Sequence, residues 1–503
     1  MMLANGFKRL LRQPASGGVL FSFARKLGRH YAAAPTAAKA LGGVAFFLAA
    51  AMIGIRFVSS AFETGQTPPL RADIMFVSLM AAAGCAYMVL FRVLMRLSNA
   101  RAVVTAAFVI GVLMRLVFFG SAPVSEDDWN RYLWDGAAVA HGVDPYAYPP
   151  ADAFSQDLLG APAAPAQSAN LATLREIGRA HPGTLSRVNY PYVSTIYPPL
   201  AQLGFAAAHM IAPFNLDAWR LVLLAADIAG FFLLVAALGA AGRNRLWALL
   251  YWWNPIVIVT TFNAGHMDVL LAPFILGAVL LVLKERPYWA AVSLAAAAGI
   301  KFWPVILAPV LFGKLLAHPF KLVRVALVFI AAASAFIAPM LLSLDVDHSG
   351  LAAYAQSWER NAFLFPLIAS GVDSLGADGG LWARVFVAGA VCGMVLVMSF
   401  HVRADPGKMI PSLFIATALL FFLSPTGFPW YFVWVVMLLP FAPSFGVGVG
   451  LLTMTLPLYY LRFPLQENGL ESLYANYLVP AQFLLPLSVI AWRLWRVERR
   501  ARA

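Results

Sequence analysis

At 503 residues the chain is long enough for several soluble domains, but 61% of it is hydrophobic and only 12% is charged, against roughly 25% charged in soluble domains. That balance excludes an ordinary soluble enzyme and predicts an all-α polytopic membrane protein. The formal net charge of +13 does not signal nucleic acid, because the Lys and Arg residues sit in short loops between apolar runs, as the positive-inside rule produces.

In chain order, residues 1–39 form a basic leader with Lys8, Arg9, Arg12, Arg25, Lys26 and Arg29, which predicts a cytoplasmic N-terminus. Phe7, Leu10 and Leu11 suit a short interfacial helix, with a frayed basic tail as the alternative. The first apolar run follows this leader and is long enough to span, so it reads as an anchor rather than a cleavable signal. Runs 40–58, 74–95 and 103–119 predict three crossings, which place the stretch after Ser121 outside. From 121 to 194 nothing could span. This external loop reads as a helical piece over 129–141, Pro-rich turns, a loose linker at 161–165 and a second short helix over 171–180.

Further runs follow at 198–211, 221–240, 246–262, 269–283, 289–316, 323–342, 385–400, 410–423, 431–439, 447–461 and 478–494, several of them short or broken by Pro. The basic C-terminus, with Arg493, Arg496, Arg499, Arg500 and Arg502, predicts a cytoplasmic end. Counting back leaves one conflict: an odd number of crossings is needed between Ser194 and Arg243, and two runs are present. Either 198–211 does not cross fully, the preferred reading, or Arg243 and Arg245 are external. The resulting division is a catalytic module over 40–343, a second external loop over 344–380 and a C-terminal transmembrane module over 381–503. Cys85 and Cys392 fall inside apolar runs and are expected to pack as small hydrophobes, giving neither a disulfide framework nor a Cys-based metal site.

The chemistry gathers at the outer ends of these runs. Ser125 to Gly136 carries Glu126, Asp127, Asp128 and Asp135, and carboxylates beside a bilayer are costly unless paired, hydrated or functional. A solvated loop start with Ser125 as an N-cap accounts for one acidic residue but not four. A carboxylate among carboxylates has its pKa raised, which suits a general base for an acceptor hydroxyl.

Asn263, His266 and Asp268 form a second polar set. Asp268 reads either as the N-cap of the next helix or as a substrate ligand, and the set is too sparse to argue a metal site. Lys301, the one cation within 290–312, either snorkels to an interface or meets a phosphate, helped by Arg131 and Arg360. Trp358-Glu359-Arg360-Asn361 and Phe428-Pro429-Trp430-Tyr431 read as interfacial belt pieces, with sugar stacking or prenyl-chain contact as the alternative. Walker, His-Glu-x-x-His and Gly-x-Ser-x-Gly motifs are absent, so no nucleotide cofactor is expected.

Taken together, Glu126-Asp127-Asp128-Trp129-Asn130-Arg131-Tyr132, Gly142-Val143-Asp144-Pro145-Tyr146, Thr195-Ile196-Tyr197-Pro198-Pro199, Trp253-Asn254-Pro255, Gly265-His266-Met267-Asp268, Lys301-Phe302-Trp303-Pro304 and Ser424-Pro425-Thr426 with Pro429-Trp430-Tyr431 resemble the GT-C glycosyltransferases. The likeness is to the polyprenyl-phosphate-mannose-dependent alpha-mannosyltransferases in particular, and it covers residues 100 to 440.

The resemblance implies a GT-C-like bundle of about 12–14 transmembrane helices in a bacterial plasma membrane. It also implies inverting transfer of a sugar, mannose as the leading choice, from a polyprenyl-phosphate donor to a lipid or glycan acceptor outside the cytoplasm. By motif position Asp127 corresponds to the catalytic base and Asp128 is the second choice. Tyr132, Tyr197, His266, Asp268, Asn361, Trp430 and Tyr431 stand as substrate contacts, and Lys301, Arg131 and Arg360 as donor-phosphate contacts. No cofactor is implied, and metal dependence stays open. The rival expectations are a transporter or flippase of lipid-linked sugars, or another lipid-linked transferase such as an O-antigen ligase or an acyltransferase.

Overall fold

The computed structural model describes residues 35–63, 68–154, 168–343, 350 and 358–502. The expected leader helix, the 161–165 linker and most of the start of the second external loop lie outside the described residues. Among those residues the fold is helical, with a single isolated backbone bridge between Arg360 and Thr426, so the all-α polytopic class holds.

Among the described residues, seven helices are long and apolar enough to cross a membrane, or eight if the bent pair Pro255–Asn263 and Met267–Leu283 counts as one span. That is fewer than the expected number of crossings, because several apolar runs fold as short or broken helices. The expected third crossing is the 16-residue helix Arg101–Leu116, about 24 Å long against a hydrocarbon core of about 30 Å. The run at 198–211 becomes the 13-residue helix Pro199–Ile211, about 20 Å long, too short to cross by itself. The run at 289–316 breaks after Pro287–Ala298 into turns at Trp303–Leu307 and Gly313–Ala317. Each break lies at Pro, Gly or a charged residue, where the helix loses a hydrogen bond or gains a polar partner.

Both cysteines are free and exposed; Cys85 Sγ still lies 3.2 Å from Met454 Sδ, an apolar contact of the kind expected. Lipid accepts a thiol there as readily as a core would.

A buried ion pair anchors the bundle. Arg115 Nε lies 2.6 Å from Asp227 Oδ2, with neither side chain exposed. The Tyr251 hydroxyl donates to Asp227 Oδ1 at 2.5 Å, and the Arg115 guanidinium stacks 3.5 Å above the Trp252 ring. The pair joins Arg101–Leu116, Leu216–Ala240 and Leu249–Trp252; Arg115 Nη1 also donates to the Gly111 and Trp252 carbonyls, and although Nη2 has no hydrogen-bond partner, these contacts make two buried charges tolerable.

The expected external helix is present as Asp128–Ala140, with His141 as its C-cap, and the second as Ala169–Ala180. They share a small separate core of Trp134, Val143, Leu174, Ile177 and Leu185, so the loop holds its own shape. Asp128–Ala140 also lies directly on Pro199–Ile211. At the crossing, a Cβ on Gly136 would strike the Phe205 carbonyl, so only glycine allows this approach.

Candidate functional site

The acidic segment is held in place by the chain break between Asn263 and Met267, where the two halves of the bent pair meet at 110°. Asn263 Oδ1 accepts from the Val124 amide at 3.0 Å, and its Nδ2 donates to the Ala122 carbonyl at 2.8 Å. Arg220 Nη2 spans both sides, donating to the Ser121 carbonyl at 2.9 Å and the Asn263 carbonyl at 3.0 Å. Gly265, at φ +80, supplies the left-handed turn that the bend requires, and its carbonyl takes the Trp219 indole proton at 2.7 Å. These bonds bring Glu126 and Asp128 against His266.

His266 Nε2 lies 3.6 Å from Glu126 Oε2, and His266 Nδ1 lies 3.7 Å from Asp128 Oδ2. The imidazole is stacked on Trp430 at 3.7 Å with 11° between the planes. Trp430 meets Tyr431, whose ring stacks on Trp434 at 4.2 Å. The Lys301 ammonium sits 4.3 Å above Tyr431 and bonds Asp268 Oδ1 at 2.6 Å. Trp434 Nε1 donates to the same carboxylate oxygen at 2.6 Å. One connected cluster therefore runs from the acidic loop through an aromatic wall to a cation.

Four polar atoms in this cluster are buried without a hydrogen-bond partner: Glu126 Oε1, both ring nitrogens of His266, and Asp268 Oδ2. Such groups are rare in folded proteins and costly, and they mark places where a ligand or a proton is expected. Among the described residues no group of three or more His, Cys, Asp or Glu side chains is arranged to hold a metal.

The carboxylates titrate abnormally. Burial, then the neighbouring Asp128 and Asp127 charges, push Glu126 well above the usual carboxylate range. Asp128 is raised to about 6 by burial and the Asp127 charge, with Asn189 and Lys301 opposing. Asp127 is also raised by desolvation, against a hydrogen bond from Asn189. Neutral forms are favoured first because burial withholds water from the charged carboxylates, and for Glu126 and Asp128 also because like charges stand beside them.

The candidate residues separate into two groups. Asp128, His266, Asp268, Lys301, Trp430 and Tyr431 come together. Trp430 and Tyr431 are 6% and 9% exposed, so they are not interfacial belt residues, and Lys301 is paired inward rather than snorkelling. Asp127 is instead the exposed N-cap of its helix, and Ser125 caps nothing. The Asp127 carboxylate accepts from Asn189 Nδ2, which also reaches Asp128 Oδ1 at 3.3 Å. Tyr132 and Tyr197 pack edge to face behind Asp128, within reach of its charge.

Arg131 bonds Asp135 Oδ1 at 2.8 Å through Nε and the Val193 carbonyl at 3.2 Å through Nη1, away from Lys301, and its Nη2 is buried without a hydrogen-bond partner. Arg360 is exposed, with its backbone bridged to the 425–427 segment. Asn361 has all its hydrogen-bonding positions filled. Its Nδ2 donates to the Gly427 carbonyl and to Gln482, and its Oδ1 accepts from Tyr474 and Gln482. It clamps a loop and has nothing left to offer a substrate. Asp268 does not cap its helix: it lies inside Met267–Leu271, whose N-cap position is His266, and its Oδ1 bonds Lys301 and Trp434.

Sequence reasoning missed Asn189 and Trp434, and gave Glu126 no role of its own. Trp434 carried a weak signal, because it lies one turn beyond Trp430 on the same stretch. Asn189 carried none. Of the five left-handed non-glycine residues among the described ones, three, Ser125, Tyr190 and Asn361, flank these segments, and strain of this kind concentrates where geometry serves a site. Comparison with protein-family models, with curated proteins and with solved structures finds no match to this chain.

Proposed function

We propose that the protein is a membrane-embedded glycosyltransferase that moves a sugar, mannose first among the candidates, from a polyprenyl-phosphate carrier to the hydroxyl of a lipid or glycan acceptor. In this proposal the N- and C-termini are cytoplasmic, the cluster faces outward from a bacterial plasma membrane, and Asp128 rather than Asp127 is the base. The observation that carries it is the pairing of opposite charge across one aromatic wall. Asp128 stands beside His266 at one end, and Lys301, braced by Asp268, stands at the other.

That pairing matches the bond changes of the reaction. The donor is a phosphodiester with one negative charge, and its departing form is a monoester that gains a second as the anomeric C–O bond breaks. Lys301 has donors beyond its bond to Asp268, so it opposes charge that grows only in the transition state. No acid is needed on that side, because phosphate is already a good leaving group. On the other side the acceptor oxygen bonds the anomeric carbon while its proton passes to Asp128. A carboxylate raised to about 6 is a better base near neutrality than an ordinary one. The faces of Trp430 and Tyr431 suit the sugar ring between the two charges.

The test is transfer from radiolabelled polyprenyl-phosphate sugars to candidate acceptors by the purified protein in lipid bilayers. Wild-type transfer that is lost in Asp128→Asn and retained in Asp127→Asn supports the reading. Movement of the intact lipid-linked sugar across the bilayer without transfer would replace it with a flippase.

A further inference from the structure

Resting on Asp128 as the base, we propose that Glu126, His266 and Asp128 form a proton relay, with His266 as the positioning residue that passes the proton between the two carboxylates. One ring nitrogen faces each carboxylate, at 3.6 and 3.7 Å, and the His266 side chain is 1% exposed. Neither nitrogen has another partner. Stacking on Trp430 fixes the ring plane, so the two nitrogens cannot turn elsewhere. A buried imidazole left without hydrogen bonds is costly, and its placement between two carboxyl groups gives it proton transfer as a use.

The step balances within the protein. The two carboxyl groups share one proton, and the relay moves it before transfer. Asp128 Oδ2 gives it to His266 Nδ1 while the Nε2 proton moves to Glu126 Oε2, each carboxylate swinging in from the observed separation to hydrogen-bond distance. The imidazole ends neutral in its other tautomer, Glu126 is neutral, and Asp128 is an anion that takes the acceptor's proton as the new C–O bond forms. The relay thus keeps the shared proton on Glu126, where burial favours the neutral acid, and leaves Asp128 free to act as the base. The Asp128 side chain keeps 32% exposure, which gives the proton an exit to water or to the departing phosphate.

Charged and titratable groups surround the relay on every side. Asp127 and Arg462 act on Glu126, while Asp127, Lys301 and Asp268 act on Asp128. Lys301 acts on His266, and Tyr132, Tyr197, Tyr459 and Tyr460 close the remaining faces. A buried acid that hands its proton inward therefore does so in a field that disfavours further negative charge, which suits Glu126 as the acceptor of a proton.

The experiment compares Glu126→Gln, His266→Gln and the double variant in bilayers. Each single variant is expected to lower kcat by roughly tenfold to a hundredfold, the range for groups that support a reacting ligand, with the donor KM unchanged and the acid limb of the pH profile moved. The double variant should lose no more than the worse single one, because a broken relay cannot be broken twice. The ring ¹⁵N resonances of His266 give a readout without turnover, and Glu126→Gln is expected to shift its tautomer balance. Losses that multiply, an unchanged kcat in Glu126→Gln, or ¹⁵N resonances indifferent to it would each overturn the relay. Wild-type protein that transfers no sugar yet shows the coupled ¹⁵N response would overturn the proposed substrate and leave the relay standing.

Discussion

Asp128→Asn should stabilise the protein while stopping its reaction. The carboxyl of Asp128 is raised from 3.8 to about 6, so the fold binds its proton more tightly than the unfolded chain does. The charged form is the disfavoured one, and the cost is absent below pH 3.8, grows through the window and is complete above about 6. A shift of about two units corresponds to about 3 kcal/mol. The side chain is 32% exposed, and solvent screening brings this to about 1–2 kcal/mol. Asparagine keeps the shape and drops the charge, which also relieves Glu126 and Asp127. Thermal unfolding in bilayers should therefore show a higher midpoint for Asp128→Asn at neutral pH, with the gap closing as pH falls toward 3.8. Transfer should fall by about two to four orders of magnitude, the usual contribution of a general base. A variant that is less stable than wild type at neutral pH, or one that still transfers sugar, would refute the placement of Asp128 as a partly buried base with a raised pKa.

Two further outcomes test the remainder of the cluster. Lys301→Met should cost about 3–5 kcal/mol, the penalty for a buried ion left without its partner, because Asp268 is 2% exposed. Adding Asp268→Asn should restore the unfolding midpoint but not transfer, whereas recovery of both would remove Lys301 from the reaction. Asn361→Ala should cost about 1–3 kcal/mol through the polar groups it strands and leave donor and acceptor KM untouched; a raised KM at normal stability would return Asn361 to the substrate.

The sequence made the site legible wherever a polar residue interrupted an apolar run. Glu126 to Asp128, His266 with Asp268, Lys301, and Trp430 with Tyr431 all stood out because lipid penalises them. The fold brings them together for the same reason, since such groups are affordable only in one another's company. What the sequence did not carry was phase. Asp127 and Asp128 differ by one residue at the start of a helix, and one step turns a side chain by about 100°. Where that helix begins decides which carboxylate meets His266, and helix starts are poorly marked in sequence. Arg131, Arg360 and Asn361 lay in the right stretches but were absorbed by scaffolding, through partners such as Asp135 and Gln482 that are distant in sequence or one helical turn away. Short helices misled the count of spans because an apolar run reports burial, and burial against protein reads the same as burial in lipid.

Burial first, and like charge second, make Glu126 and Asp128 of the acidic loop abnormal. Glu126, Asp127, Asp128 and Asp268 face two cations: the Lys301 ammonium, already engaged by Asp268 at 2.6 Å, and Arg462, which acts on Glu126. Fully ionised, this collection would repel an anionic phosphate however well its walls fitted a sugar. Burial that drives Glu126, and partly Asp128, toward the neutral form removes that repulsion, so the desolvation that makes a strong base also lets an anionic donor approach. Both effects come from one structural cause, the packing of the acidic loop against the bend at His266 and the aromatic wall behind it. A cluster moved a few ångströms outward into water would keep all of its residues and lose both properties, since its carboxylates would return to their ordinary range and stand as anions in the path of the donor.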